Sequence, residues 1–313
     1  MSLACGIDVG GTKIAGGVVD DDGVIVEEVR VESPATDAEA IEEAIAGLVT
    51  DLRSRHDIQT VGVGAAGYVD KARAVVLFAP NLAWRNEDLK GELEKRVELP
   101  VVIENDANAA AWGEFVYGAG HDADDLLLVT VGTGVGGGLV LDGEVYRGAN
   151  GVGAEIGHMR VVPNGILCGC GKHGCFEKYA SGSALVSEAR ALAASGAAIA
   201  QGMLDRAGGD LDEITGPLIT EAARDGDQGA IQQLARLGRW LGEGIASLTE
   251  ILDPEVVVIG GGVSEADELL LGPTREAFGA QLVGRGFRPI PEIRKARLGN
   301  RAGLIGAADL SRH

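Results

Sequence analysis

The stretch DVGGTKIAGGVVDDDGVIV at 8–26 has a counterpart, TVGTGVGGGLVLDGEVY, at 130–146. Each copy holds a β-rich run, a Gly/Thr turn, a second β-rich run, an Asp-Gly turn and a third run. Self-similarity on this scale marks a duplicated structural unit. A chain that opens both halves with the same meander must build two domains of like construction, and its 313 residues suit two domains of roughly 100–200 residues each. The pairs Asp22-Gly23 and Asp142-Gly143 favour type I′ hairpins, whose two central positions both need positive φ.

Behind the first meander, Ile41, Ile45, Leu48, Val49 and Leu52 recur with helical period, and Thr36 with Glu39 resembles a capping box. Strands follow at 61–66 and 100–104, the second leading into a helix from about Asn108. The second half predicts helices near 178–195, 215–225 and 228–252, strand 255–259, helix 265–281, strand 291–297 and helix 302–311. The expected fold is a pair of α/β domains flanking a cleft, with no low-complexity linker.

Composition narrows the partners. A formal net charge of −20 repels a phosphate backbone, so no nucleic-acid partner is expected. The opening MSLACGIDVGG has no basic, apolar leader pattern, and no segment approaches ~20 uncharged apolar residues. These features predict a soluble cytoplasmic protein without a membrane partner. Cys5, alone on an expected strand, reads as a buried inert thiol.

Gly132, Gly134 and Gly137 satisfy GxGxxG, but a dinucleotide fingerprint needs a helix after the turn, and LVLDGEVY reads as strand and hairpin. No Walker A pattern occurs. Small-residue turns still bring backbone N–H groups close to an anion. Gly10-Gly11-Thr12-Lys13 and Gly132-Thr133-Gly134 each fit a plain hairpin; as a repeated pair they fit two grips on a triphosphate. Asp8 stands where it could hold Mg²⁺ through water. Gly260-Gly261-Gly262 ends an apolar strand, where α/β ligands gather, and fits either a structural turn or a nucleoside contact of Gly261 and Gly262.

Three of the four cysteines fall within GHMRVVPNGILCGCGKHGCFE at 157–177. His158, Cys168, Cys170 and Cys175 make the Cys₃His set that zinc takes in closed structural sites. In VVIENDANAAAWGE, Asn105 and Asp106 sit where a buried strand gives way to a helix. An amide beside a carboxylate suits the hydroxyls of a polyol, although Asp106 or Asn108 also fits a helix N-cap. Glu155 and Glu177 stand at the margins of the cysteine cluster as two more hydroxyl acceptors.

These motifs together resemble the ROK family of sugar kinases and repressors. The resemblance rests on DVGGTK at 8–13, ENDANAAAWGE at 104–114, GTGVGGG at 132–138, GAEIGH at 153–158, CGCGKHGCFE at 168–177 and IGGG at 259–262. It implies two ribonuclease-H-like domains of the actin and hexokinase type. The last helix would return to the first domain, giving 1–121 with 299–313 and 122–298. It further implies that Asp106 is the catalytic base and that Asn105, Glu155, His158 and Glu177 contact a hexose, with Gly67 and Asn81 as lesser contacts. His158 would serve both zinc and sugar. Asp8, Gly10, Gly11, Thr12, Lys13, Gly132, Thr133 and Gly134 match phosphate and Mg²⁺ positions, and Gly261 and Gly262 the nucleoside side.

The implied activity is ATP-dependent phosphorylation of glucose at its 6-hydroxyl, giving glucose 6-phosphate and ADP. Fructose, mannose or an N-acetylhexosamine are alternative substrates, and a sugar sensor without turnover is an alternative role. A homodimer or homotetramer is expected. With the first strand expected within a few residues of Met1, the DNA-binding helices of the repressor branch are not expected here.

Overall fold

A computed structural model describes residues 2–313, which form two compact units. The first comprises residues up to Leu128, Gly137–Ala154 and Arg297–His313; the second comprises Val129–Gly136 and Glu155–Ala296. The first unit thus takes in 137–154 as well as the chain's two ends.

The first unit begins with β1 (Leu3–Val9), β2 (Lys13–Val19) and β3 (Ile25–Glu32), followed by α1 (Ala38–Arg53) and β4 (Ile58–Ala65). A small sheet of β5 (Tyr68–Val69), β6 (Val76–Phe78) and β7 (Arg85–Glu87) comes next, then α2 (Leu89–Val97), β8 (Val101–Asn105) and α3 (Asp106–Val116). Beyond them lie β9 (Leu126–Val131), β10 (Val135–Leu141) and β11 (Glu144–Val145). The second unit continues with α4 (Glu177–Ala180), α5 (Gly182–Ala194), α6 (Gln201–Arg206), α7 (Gly216–Arg224), α8 (Gln228–Leu252), β12 (Val256–Gly260), α9 (Glu268–Gln281) and β13 (Glu292–Lys295). The chain ends in α10 (Ala302–Leu310), which belongs to the first unit.

The sheet orders display the duplication directly: β3-β2-β1-β4-β8 in one and β11-β10-β9-β12-β13 in the other. In each, an antiparallel meander is extended by parallel strands. Because β1, β4 and β8 are parallel, with Val9 opposite Ala65 and Ala65 opposite Asn105, their carboxyl ends lie side by side.

Ile7, Ile14, Ile41, Ile45, Leu52 and Ile103 are fully buried together on one face of this sheet. On the other face α10 approaches closely through glycines. A Cβ on Gly6 would collide with the Leu304 carbonyl, one on Gly62 with the Ala307 carbonyl, and one on Gly306 with the Ala109 carbonyl. The returning segment is fastened by Glu114. This fully buried carboxylate accepts the backbone N–H groups of Arg297 at 3.0 Å, Leu298 at 2.7 Å and Ala119 at 2.8 Å.

Several local expectations shift. Asp37, not Thr36, caps α1, accepting from the Ala40 N–H. Asp142 (φ 51°) and Gly143 (φ 75°) both take positive φ as a type I′ turn needs, but at 22–23 only Gly23 does (φ 74°). There Asp20 Oδ1 accepts from Asp22 and Val24 N–H, a side-chain turn that supplants the two-residue hairpin. The helix expected over 178–195 is broken at Ser181, whose hydroxyl caps α5. α9 starts at Glu268, after a 3₁₀ turn over 262–266, instead of at 265. α2, α6 and the small sheet lie outside the sequence reading: their segments are short and mostly polar or lack a clear period. No helix among the described residues is long and apolar enough to cross a membrane.

Candidate active site

In the first unit the site residues collect at the carboxyl ends of β1, β4 and β8, where open α/β sheets receive ligands. Asp8 lies near the end of β1, and burial raises its carboxyl above the ordinary range, with Arg30 opposing. The Gly10–Thr12 turn follows, closed by Gly10 N–H donating to Lys13 C=O at 3.0 Å. A side chain on Gly11 would come within 3.4 Å of Asn81, placing that residue against the turn.

Asn105 ends β8 and caps α3: its Oδ1 accepts from Asn108 N–H at 3.0 Å. Its Nδ2 donates to the Gly67 carbonyl at 3.0 Å and to Asp106 Oδ1 at 3.1 Å. Asp106 therefore opens the helix without capping it, and Oδ1 also accepts its neighbour's N–H, that of Ala107, at 2.9 Å. Gly303, in the first turn of α10, faces the Asp106 backbone and the Asp8 carboxyl group. A Cβ there would lie 3.8 Å from both the Asp106 carbonyl oxygen and Asp8 Cγ.

In the second unit His158, Cys168, Cys170 and Cys175 bring their ligand atoms within 4.8 Å of one another. A tetrahedral ion with Zn–S bonds of about 2.3 Å needs ligand separations of about 3.8 Å. Cys170 Sγ and Cys175 Sγ lie 3.6 Å apart, and Cys168 Sγ lies 3.7 Å from His158 Nδ1. The residues fit zinc. Burial pushes the Cys168 thiol up to about 12, partly offset by the Cys170 N–H, so a thiolate there needs a cation beside it. The loop is held by Arg160–Cys175 and Leu167–His173 bridges and by Gly174, at φ 77° against Val162.

Glu177, at the start of α4, reaches into this cluster. Its Oε1 accepts from Cys168 Sγ at 2.9 Å and lies 3.8 Å from His158 Nδ1. Glu155 precedes a 3₁₀ turn carrying His158. Burial raises the Glu155 carboxyl, with His158 opposing and Glu177 adding. The acidic acceptors and the metal set thus form one group.

Gly132 and Thr133 line a cavity of about 890 Å³ with Gly182, Ser183, Arg190 and Gly262. Gly182 N–H donates to the Gly132 carbonyl at 2.7 Å, so the N-terminus of α5 abuts the Gly/Thr turn. A Gly/Thr turn and a helix N-terminus then border one space, an arrangement suited to phosphate. Gly134 and Gly261, though adjacent in the chain to Thr133 and Gly262, do not line this cavity. A Cβ on Gly134 would lie 2.7 Å from Glu177 Oε2, and one on Gly261 would lie 2.5 Å from the Val131 carbonyl oxygen. The sequence reading missed Ser183 and Arg190. The run Ala180-Ser181-Gly182-Ser183 was its available signal, a small-residue cap opening a helix; Arg190 carried none.

The model of the ROK family matches residues 4–313. A glucokinase of Streptomyces coelicolor is 48% identical over 312 residues, covering 100% of this chain and 98% of its own length. A solved ROK glucokinase of Streptomyces griseus, in complex with glucose and AMPPNP, superposes with a TM-score of 0.90 at 51% identity, with 99% of both chains covered. A ROK hexokinase of Thermus thermophilus superposes with a TM-score of 0.79 at 34% identity, with 99% of this chain and 98% of its own covered.

Proposed function

The chain belongs to the ROK family, and from that membership we propose that it is an ATP-dependent glucokinase, transferring the γ-phosphoryl group of MgATP to the 6-hydroxyl of glucose. The observation that carries this reading is the full-length likeness, at 51% identity, to a glucokinase solved with glucose and AMPPNP. The geometry supports the following roles.

Asp106 accepts the proton of the 6-hydroxyl as the oxygen meets the phosphorus. In a loose transition state the hydroxyl becomes acidic late in the transfer, so an ordinary carboxylate suffices and positioning does most of the catalysis. Asn105 holds that carboxylate while capping α3. Glu155, Glu177 and the Nε2 edge of His158 accept and donate hydrogen bonds to sugar hydroxyls, with Gly67, Asn81 and Asn105 beside the base. Asp8 holds Mg²⁺ through water, and the Gly10–Lys13 turn receives phosphate. The cavity lined by Gly132, Thr133 and Gly262 takes the nucleotide.

His158, Cys168, Cys170 and Cys175 would hold zinc, which supplies rigidity to the loop. His158 turns Nδ1 to the sulfurs, so its other nitrogen is left for the sugar. Four free thiols suit a reducing cytoplasm, in which the protein would work.

A coupled assay of the purified chain with MgATP and a panel of hexoses tests the reading. Glucose 6-phosphate and ADP should form in equal amounts, with glucose the best substrate by kcat/KM. Faster turnover of fructose, mannose or an N-acetylhexosamine would reassign the substrate, and none at all would leave a sugar sensor.

A further inference from the structure

Immediately before Asn105 and Asp106 stands Glu104, a carboxylate only 2% exposed. Its Oε2 accepts from Arg147 Nε at 2.8 Å and Nη2 at 2.6 Å, and lies 3.6 Å from Arg73 Nε. Its Oε1 accepts from Asn105 N–H and from Asn108 Nδ2, both at 3.1 Å. Those two asparagines are the cap and third residue of α3, already joined by the 3.0 Å bond from Asn108 N–H to Asn105 Oδ1. One carboxylate thus braces the turn that aims Asp106.

Arg147 belongs to a strap, 146–154, that runs directly into Glu155. The strap is closed by Gly153 N–H donating to the Arg147 carbonyl at 3.0 Å, and Arg147 Nη1 donates to the Val145 carbonyl at 3.2 Å. Gly151, at φ 89°, lies so close to Val69 and Asp70 that a side chain there would collide with their backbone. The strap is therefore seated, with the Arg147 guanidinium as its polar anchor.

A buried ion pair is a weak source of stability, since a well-packed apolar replacement is often neutral or better. Its use here is geometric. We propose that Glu104 and Arg147 are positioning residues for phosphoryl transfer, tying the turn that carries Asp106 to the strap that delivers Glu155. This rests on the kinase reading above. Loosening the pair displaces the base and a hexose acceptor together, and misplacement by about 1 Å can cost about 10²-fold.

The test uses the full chain with its metal, as Glu104→Gln, Arg147→Lys, Arg147→Met and the Glu104→Gln/Arg147→Met double variant. Steady-state kinetics in glucose and MgATP are read beside the melting temperature. Glu104→Gln and Arg147→Met should each lower kcat about 10-fold or more and raise the glucose KM, with the ATP KM unchanged. Arg147→Lys should fall between them and wild type, since ammonium keeps the charge but not the fork. The double variant should be no worse than either single one, because both break the same link.

Variants that melt lower but keep wild-type kcat and glucose KM would show a purely structural pair and overturn the proposal. So would additive losses shared equally by both substrates. Should Glu104→Gln fail to fold, the partly exposed Arg147 variants decide. A wild type without turnover on any hexose overturns the functional reading and this inference with it; an active wild type with unaffected variants overturns this inference alone.

Discussion

The side-chain amide of Asn105 donates to Asp106 Oδ1 at 3.1 Å while its oxygen caps the helix that Asp106 begins. The carboxylate is thereby held by a residue that is itself locked to the backbone at both ends of its amide. Asp106→Asn keeps the shape and removes the proton acceptor. It should lower kcat by about 10²–10⁴-fold, the usual worth of a general base, while glucose binding measured by calorimetry persists. Near wild-type turnover would remove Asp106 from its role.

The metal set makes a prediction independent of activity. Elemental analysis of the purified chain should find about one zinc per chain, and Cys168→Ser should lose it, because three ligands no longer close the tetrahedron. The variant should melt lower, since binding free energy at such a site is folding free energy. Full metal content in Cys168→Ser would refute the ligand assignment.

Gly134 separates two explanations of a Gly/Thr turn. Were its missing side chain needed for phosphate approach, Gly134→Ala would raise the ATP KM. The structure instead places the Glu177 carboxylate 2.7 Å from the added Cβ. Gly134→Ala should therefore raise the glucose KM about 10-fold, a cost of about 1.4 kcal/mol, with the ATP KM nearly unchanged. The reverse pattern would refute it.

Glu42 gives a pH dependence of stability. It is buried on α1, 3.0 Å from Arg96, and burial raises its carboxyl to about 6 from an ordinary 4.5. Between those values the folded chain holds a proton that the unfolded chain has released, so stability falls as pH rises through the window. The loss is about 2 kcal/mol. Melting temperatures across pH 4–7 should show this decline in wild type and a flatter profile in Glu42→Gln. Parallel profiles would exclude Glu42 as its source.

The duplicated meander was legible in the sequence because a hairpin's strands and turn are neighbours along the chain. Period and turn chemistry act over a few residues and are written locally. The Cys₃His set was legible for the same reason: all four ligands fall within 158–175 and closing them needs one loop. The helix caps show where such locality ends. Thr36 and Asp37 are both competent caps by residue type, and in the fold Asp37 serves.

What only the tertiary structure decided was which distant residues share a site. Glu104 reads in sequence as a polar interruption of an apolar strand, and its meaning comes from Arg147, forty-three positions on. Gly6, Gly62 and Gly306 become intelligible only when α10 arrives against the sheet and α3 from the far end of the chain. The cavity beside Thr133 likewise needs α5, α7 and the Gly262 turn assembled around it. Local pattern specifies elements because their hydrogen bonds close within themselves; a site is made by side chains from separate elements, and their meeting depends on the packing of the whole core.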